Sequence, residues 1–532
     1  VHERQHGRTE AAVIVKDKPR RAAGPRRAAK PGGSPFTRTA EHRPAIHKRN
    51  YRHDGYTALD MFSGFGGLTL GIKIAGFTMI MAANHNRYKV EVHEANHPEV
   101  EHWIADLVDP DAADYHSATD LPYADLLVAG VSCVNHSQAN TQKAYQDGLS
   151  LFDMDDPDWE ERVTRSERDR ATATCVLQYA GKHHPRLILI ECTTELQSWG
   201  YALPGRRKVG DGSTYRWWLR EFTKLGYRYR ELYLNSMFFG VPQSRDRLYI
   251  CMWDAALPTP DLEHRPLALC QKCGTVDEAR WTWKTGVPPT GSVRWGKQYV
   301  YRCRTCHSEV VPEFAPSLYA LDLTNLGTRI GDRKKALAPA TMARAERCRQ
   351  RFADFPAVLM PITRRGEHTT GKPVTDPMPT QTAQQETALL SAMIMPAKAT
   401  RGAERNPSEP LATQTGQQEA ALLTTGAIMQ TANSYEHPGS TSRDTTALLA
   451  AEWRAMLADL TLDDCYFRML GSHEIGRGCG FDVDFPDHPG TFVVWGSERD
   501  RVDGYGNAVS PPVGQFLGER LYECLHGSDV AA

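Results

Sequence analysis

The sequence predicts an α/β protein built on a doubly wound sheet, with an inserted domain of irregular, β-rich character. Three observations carry that reading. Two short runs, Leu126-Leu-Val-Ala129 and Leu187-Ile-Leu-Ile190, are apolar at every position, as central strands covered on both faces require. A glycine-rich turn, Ser63-Gly-Phe-Gly-Gly67, follows the first strand of a strand–helix–strand–helix beat. That beat stops near residue 256, where Pro, Thr, Gln and Gly rise, and it returns near Tyr466.

Taken in order, Ala58 to Phe62 reads as a strand, and Leu68 to Ala75 as a helix with apolar residues at Leu68, Ile72 and Ala75. Glycines between the two let backbone N–H groups approach a ligand closely. A second strand, Phe77 to Ala83, ends at Asn84-His85; a helix over Lys89 to Asn96 leads on to Asp106-Leu107. The run ending at Ala129 opens into a polar loop carrying Cys133, just beyond the carboxyl end of a strand, where open α/β sheets bind ligands. A lone cysteine there is ordinarily an inert buried thiol, so its meaning depends on the rest of the chain. The polar stretch 140–170 reads as a loop and helix that order on binding. A helix over Ala171 to Ala180, the strand ending in Glu191, a helix over Tyr215 to Leu225 and strands Tyr227 to Leu234 and Arg247 to Trp253 complete the first piece of the sheet. The last segment closes with Gly506-Asn-Ala-Val-Ser-Pro-Pro-Val-Gly514 and a helix over Gln515 to Leu525. The expected domains are a disordered basic arm over 1–50, the first part of the α/β domain over 51–255, the insert over 256–460 and the return over 461–528.

The insert carries two further signals. Cys270-Gln-Lys-Cys273 and Cys303-Arg-Thr-Cys306 are two CxxC knuckles, 29 residues apart, and four thiolates so arranged can close a structural tetrahedral zinc site. A zinc ribbon over 266–312, rich in Trp281, Trp283 and Trp295, is therefore predicted. His307 is a lesser candidate ligand. Segments Asp376 to Glu386 and Ser408 to Glu419 echo each other at a period of 33 and suggest a duplicated hairpin-like unit.

Net charge is -1, but residues 1–50 hold 13 Lys+Arg against 4 Asp+Glu, or +9, leaving -10 for the remainder. Such an arm suits nucleic acid or plain solvation equally. Twelve cysteines, no apolar run of membrane-span length and no signal-peptide core in the first residues argue for a reducing, cytoplasmic setting without a membrane.

Together, Asp60-Met-Phe-Ser-Gly-Phe-Gly-Gly67, Ala129-Gly-Val-Ser-Cys133, Ile190-Glu191, Gln243-Ser-Arg-Asp-Arg247 and Gly506-Asn-Ala-Val509 stand in the order and spacing of the C5-cytosine DNA methyltransferases. Arg468-Met-Leu-Gly-Ser-His-Glu474 is similar to that family's block before the last motif, and the resemblance spans 56–255 and 465–525. It implies a Rossmann-like class I methyltransferase sheet, with the insert as target recognition domain. It also implies double-stranded DNA as substrate, base flipping, S-adenosylmethionine as methyl donor, and a monomer associated with the nucleoid of a prokaryote or phage. A restriction endonuclease is a possible partner. Cys133 would be the thiolate that adds to C6 of cytosine, because C5 alone is too weak a nucleophile. Glu191 would meet N3 and the exocyclic amine, Arg247 the base O2, and Arg245 would support the loop. The methyl donor would lie over Phe62, Ser63, Gly64, Gly66 and Gly67, with Asn84, His85, Asp106, Leu107, Ser132 and Asn507-Ala508-Val509 completing the pocket.

Five positions depart from the family pattern. Ser132 and Val134 replace the usual Pro and Gln around the nucleophile, although Cys133-Val-Asn-His-Ser137 matches a subset of the family. The usual Glu-Asn-Val reads Glu191-Cys192-Thr193, and His85 stands where the ribose-binding acid is expected. Two alternatives follow. Cysteine is smaller than asparagine and lacks its amide, so a cofactor with a larger, carboxylated transferable group would gain room. Alternatively, the scaffold is a catalytically dead DNA-binding homologue.

Overall fold

The computed structural model describes residues 40–48, 55–131, 172–200, 211–284, 292–351, 357–361, 371–374, 376–381, 387–391, 461–486 and 488–531. All of these residues lie in one compact unit.

Its centre is an eight-stranded sheet. The elements contributing to it or packed on it are β1 (Glu41–Arg43), β2 (Thr57–Met61), α1 (Gly67–Ile74), β3 (Thr78–Asn84), α2 (Arg87–Asn96), β4 (Glu101–Ile104), β5 (Leu126–Gly130), α3 (172–183), β6 (Leu187–Cys192), α4 (Ser213–Lys224) and β7 (Tyr227–Asn235). The two-residue β8 (Gln243–Ser244) and β9 (Asp246–Asp254) follow. The order across the sheet is β1-β4-β3-β2-β5-β6-β9-β7. Strands β2 to β6 pair in parallel, whereas β9 runs antiparallel to both β6 and β7. The chain winds outward from β2 through β3 to β4, then crosses back and winds the other way from β5 to β6. The switch therefore lies between β2 and β5, and their carboxyl ends open the crevice where such sheets take ligands.

Alternation along the central strands explains why both runs are apolar throughout. Leu126, Val128, Leu187 and Leu189 join a core with Leu68 and Ile72 of α1 and with Val513, Leu517 and Leu521 of the last helix, α8 (Pro511–Ala531). Leu127, Ala129, Ile188 and Ile190 join the opposite core with Val176 and Tyr179 of α3 and Trp218 and Phe222 of α4. Each such aliphatic side chain contributes about 1.5–3 kcal/mol by leaving water. Asp125 locks the start of this centre, accepting from the N–H and the hydroxyl of Thr57 at 2.8 and 2.9 Å.

Three placements differ from the sequence reading. Strand β1 falls inside the stretch expected as a disordered arm. It pairs with β4, and the Arg43 guanidinium holds Glu94 of α2, a bond between distant polar residues that no local pattern announces. The last helix is longer than 515–525, because its first turn packs under α1, beyond the reach of an apolar-period count. Strand β19 (Tyr466–Met469), expected in the returning α/β piece, pairs instead with β14 (Thr328–Arg329) and β18 (Thr387–Ser391). These strands form a separate five-stranded sheet with β15 (Ala357–Pro361) and β16 (Lys372–Pro373).

The knuckle region is a four-stranded antiparallel sheet of β10 (Leu267–Cys270), β11 (Thr275–Trp283), β12 (Tyr299–Cys303) and β13 (Glu309–Val310). In the first copy of the duplicated segment, residues 376–381 are described. Its β17 (Met378–Pro379) pairs in parallel with β8. The second copy, like the 140–170 stretch, lies outside the described residues.

Candidate functional site

The glycine-rich turn leaves β2 in a conformation that side chains tolerate poorly. Phe62 has φ +67°, a left-handed value that costs a non-glycine residue of order 1–3 kcal/mol. At Gly66, φ +83° and a Cβ that would stand 2.7 Å from the His93 ring both demand glycine. Gly67 is needed for a different reason: a Cβ there would stand 1.9 Å from the carbonyl oxygen of Val509. The closing segment Ala508-Val509 is thus packed directly on the turn, and both its side chains are buried. The turn also meets the end of β3, where Ser63 donates its N–H to the Ala83 carbonyl. The end of β4 joins through Ala105 N–H to the Asn84 carbonyl.

This crevice fits the methyl donor in two respects. Among the described residues, Ser63 Oγ is buried without a hydrogen-bond partner, so a ligand is a natural acceptor or donor for it, and a Cβ at Gly64 would meet nothing within 4 Å. Asp106 and Leu107 are buried at the end of β4, where Asp106 Oδ1 accepts from the N–H groups of Val108 and Asp109. Asn84 caps its own turn by accepting from Asn86 N–H, and His85 is exposed. Asn507 is exposed, its amide donating to Asp503.

Beneath the turn lies a buried polar chain that no sequence signal singled out. Thr69 donates its hydroxyl proton to Asp60 at 2.6 Å. It must therefore accept from His93 Nε2–H at 3.0 Å, and neutral His93 then accepts at Nδ1 from His102 Nε2–H at 2.8 Å. Burial pushes Asp60 up to about 7, against the pull of Thr69. It pushes His97 down to about 3, His102 down to about 4, and His93 well below the ordinary histidine range. Histidines four apart, at 93 in α2 and at 97 just past its end, were the available clue.

On the other side of the switch, β6 delivers Glu191 and β9 delivers Arg247. Glu191 Oε1 and Arg247 Nε lie 3.0 Å apart, with their side chains 5 and 14% exposed. Val131 N–H donates to the Glu191 carbonyl at 3.1 Å, so the last described residue after β5 lies beside Glu191. Ser132 and Cys133 themselves lie outside the described residues. Arg245 faces elsewhere: its guanidinium donates to the carbonyls of Gly506 at 2.9 Å and Gln381 at 3.1 Å. It thereby joins the loop after β8 to the closing segment and to the first duplicated copy. Arg468 and Glu474 form a bidentate pair at 2.6 and 2.7 Å that ties β19 to α6 (Ser472–Gly478). Cys192, next to Glu191, is buried in the core on the α3–α4 side.

The four knuckle cysteines come together, all sulfurs lying within 4.8 Å of one another. Cys270 and Cys306 are 3.5 Å apart and Cys273 and Cys303 3.9 Å. A tetrahedron with Zn–S bonds of about 2.3 Å has S–S edges of about 3.8 Å, so the spacing fits zinc. The Ser308 hydroxyl and N–H push the Cys306 thiol down to about 6, whereas neighbouring cysteines, Cys306 foremost, push Cys273 up to about 12. Four thiols this close ionise together only around a cation.

Topology and site thus define an α/β protein with a glycine-rich turn at the switch point of its sheet and a buried carboxylate–guanidinium pair between β6 and β9. Residues 56–153 and 204–267 match the family C-5 cytosine-specific DNA methylase. The Type II methyltransferase M.NgoBI of Neisseria gonorrhoeae is 26% identical over 218 residues, which cover 40% of this chain and 56% of that protein. M.NlaX of Neisseria lactamica is 27% identical over 199 residues, covering 37 and 51%. M.HaeII of Haemophilus aegyptius is 25% identical over 197 residues, covering 37 and 49%. Two segments of the chain are thus similar to the C-5 cytosine-specific DNA methylases, and the chain spans about half the length of the curated relatives it matches. Among the described residues, no helix is long and apolar enough to cross a membrane.

Proposed function

We propose that the chain transfers a methyl group from S-adenosylmethionine to C5 of a cytosine flipped out of duplex DNA. The observation that carries this reading is the buried Glu191–Arg247 pair next to Val131, two residues before Cys133, where a Cβ at Gly130 would stand 4.0 Å from Glu191 Oε2 and 3.9 Å from the Phe62 carbonyl oxygen of the glycine-rich turn. Bound there, the cofactor supplies an electrophilic methyl on a sulfonium. The Cys133 thiolate forms a bond to C6, Glu191 and Arg247 hold N3 and O2 as charge builds on the ring, and electron density at C5 takes up the methyl. Loss of the C5 proton then expels the thiolate and restores the aromatic ring. Extrusion of the base costs roughly a few kcal/mol. The five-stranded sheet and the ribbon supply the target recognition surface, and a restriction endonuclease reading the same site is the partner suggested by the relatives' Type II designation.

Methyl, rather than a larger group, is the expected cargo. Cys192 is buried, 1% exposed, among apolar core residues, surroundings that disfavour a carboxylated group. Duplex DNA containing 5-fluorocytosine, which cannot lose a proton at C5, should trap a covalent complex with the wild-type protein and none with Cys133→Ala. Nucleosides from modified DNA should show 5-methylcytosine by mass spectrometry. Folded protein that binds cofactor but forms no trapped complex and modifies no cytosine would sink the proposal. A heavier dominant product would overturn the choice of methyl.

Zinc as the resident of the four-cysteine cluster is part of the same reading. Elemental analysis should find one zinc per chain, falling by most of its amount in Cys303→Ser. Its absence from freshly purified protein would end the assignment.

A further inference from the structure

The ribbon is fastened to the ion pair from both sides. Asp246 stands between Arg245 and Arg247 at the start of β9, and alternation along the strand turns its side chain away from both arginines. Asp246 Oδ1 accepts the Trp295 N–H at 3.1 Å and the Tyr299 hydroxyl at 3.0 Å. Tyr299 opens β12, the strand that ends at the knuckle residue Cys303. On the β6 side, Thr194 follows Glu191 by three residues and its hydroxyl oxygen accepts the Val293 N–H at 3.0 Å. Trp281 of the ribbon donates Nε1–H to the Tyr233 carbonyl on β7, and it stacks on Tyr299 with ring centroids 5.1 Å apart. Meanwhile the ribbon holds little core of its own: Leu267, Leu269 and Val276 are 55–61% exposed. Its shape therefore depends on the cysteine cluster and on this seat.

We infer that the four-cysteine ribbon is a brace for the base pocket, with Asp246 and Thr194 as the positioning residues that fix Arg247 and Glu191. A metal in the cluster then governs the geometry of the ion pair as well as the surface offered to DNA. The inference rests on the catalytic reading of Glu191 and Arg247, yet part of its test needs no activity.

Hydrogen exchange on the full-length wild-type protein, with and without a zinc chelator, reads the coupling directly. Peptides covering 190–196 and 244–250 should lose protection together with the ribbon peptides. If the ribbon opens while these two stay protected, the inference is overturned whatever the protein catalyses. Kinetics on unmodified genomic DNA supply the second arm. A displacement near 1 Å costs about 100-fold in rate. Asp246→Ala should accordingly lower kcat by about 10- to 100-fold, leaving KM for DNA and zinc content within twofold. Asp246→Asn keeps the acceptor oxygen and should recover most of the rate. Thr194→Val should lower kcat in the same sense, and it serves if Asp246→Ala does not fold. Unchanged kcat in the folded variants, or Asp246→Asn as impaired as Asp246→Ala, would overturn the assignment. A wild-type protein that modifies no cytosine instead counts against the functional reading, and the exchange experiment still decides the brace.

Discussion

Arg247→Ala is expected to be the most damaging single change in the site, in both stability and turnover. It strips the guanidinium from a carboxylate 5% exposed, and removing one partner of a buried pair costs about 3–5 kcal/mol because the other charge is left without compensation. Turnover should fall roughly 100- to 1,000-fold, the size of effect seen when one donor to a developing charge is removed. The two effects separate in a paired experiment. Arg247→Met combined with Glu191→Gln removes both charges, so it should restore much of the stability lost in Arg247→Ala while methyl transfer stays lost. Chemical denaturation of the three proteins checks the first statement and labelled methyl transfer the second. If Arg247→Ala unfolds at the wild-type denaturant concentration and retains its rate, the pair has neither role.

Gly67→Ala is the second large expectation, and there two effects compete. Alanine is favoured over glycine inside a helix by about 0.8–1 kcal/mol, and Gly67 is the first residue of α1. Against this, the added Cβ would lie 1.9 Å from the Val509 carbonyl oxygen and 3.3 Å from the Phe481 ring. Backbone on one side and a buried ring on the other leave no flexible side chain to yield, and overpacking of this kind costs about 1–3 kcal/mol or more. The steric term wins. Gly67→Ala should lower the melting temperature and, by prising Ala508-Val509 from the turn, weaken cofactor binding measured by calorimetry. A melting temperature raised above wild type would show that the closing segment moves aside freely.

Much of the fold was legible because burial on both faces leaves a direct mark on sequence. Leu126–Ala129 and Leu187–Ile190 are apolar at every position since α1 and α8 cover one face of the sheet and α3 and α4 the other. The glycines of the turn were legible too, because only glycine meets the steric demands at positions 66 and 67. The CxxC pairs reported the cysteine cluster, since four thiols serving one centre need short, regular spacing. Strand β1 and the membership of β19 were not legible. Both depend on pairing with partners far along the chain, and their own residues carry no distinctive period.

For the site, sequence by itself determined which residue types were present and in what order: Glu191 at one strand end, Arg245 and Arg247 at another, and glycines at the turn. Only the tertiary structure decided how they divide. Arg247 turns to Glu191, whereas Arg245, two residues away on the same face, is drawn to the carbonyls of Gln381 and Gly506. Asp246, an unremarked acid in the sequence, becomes the seat of the ribbon because alternation points it the other way. The physical reason is that charge pairing and hydrogen bonding act through space over a few ångströms. The elements that bring these groups together, β6, β9, β12 and the segment before α8, are up to about 300 residues apart in the chain, and only packing of the sheet sets that distance.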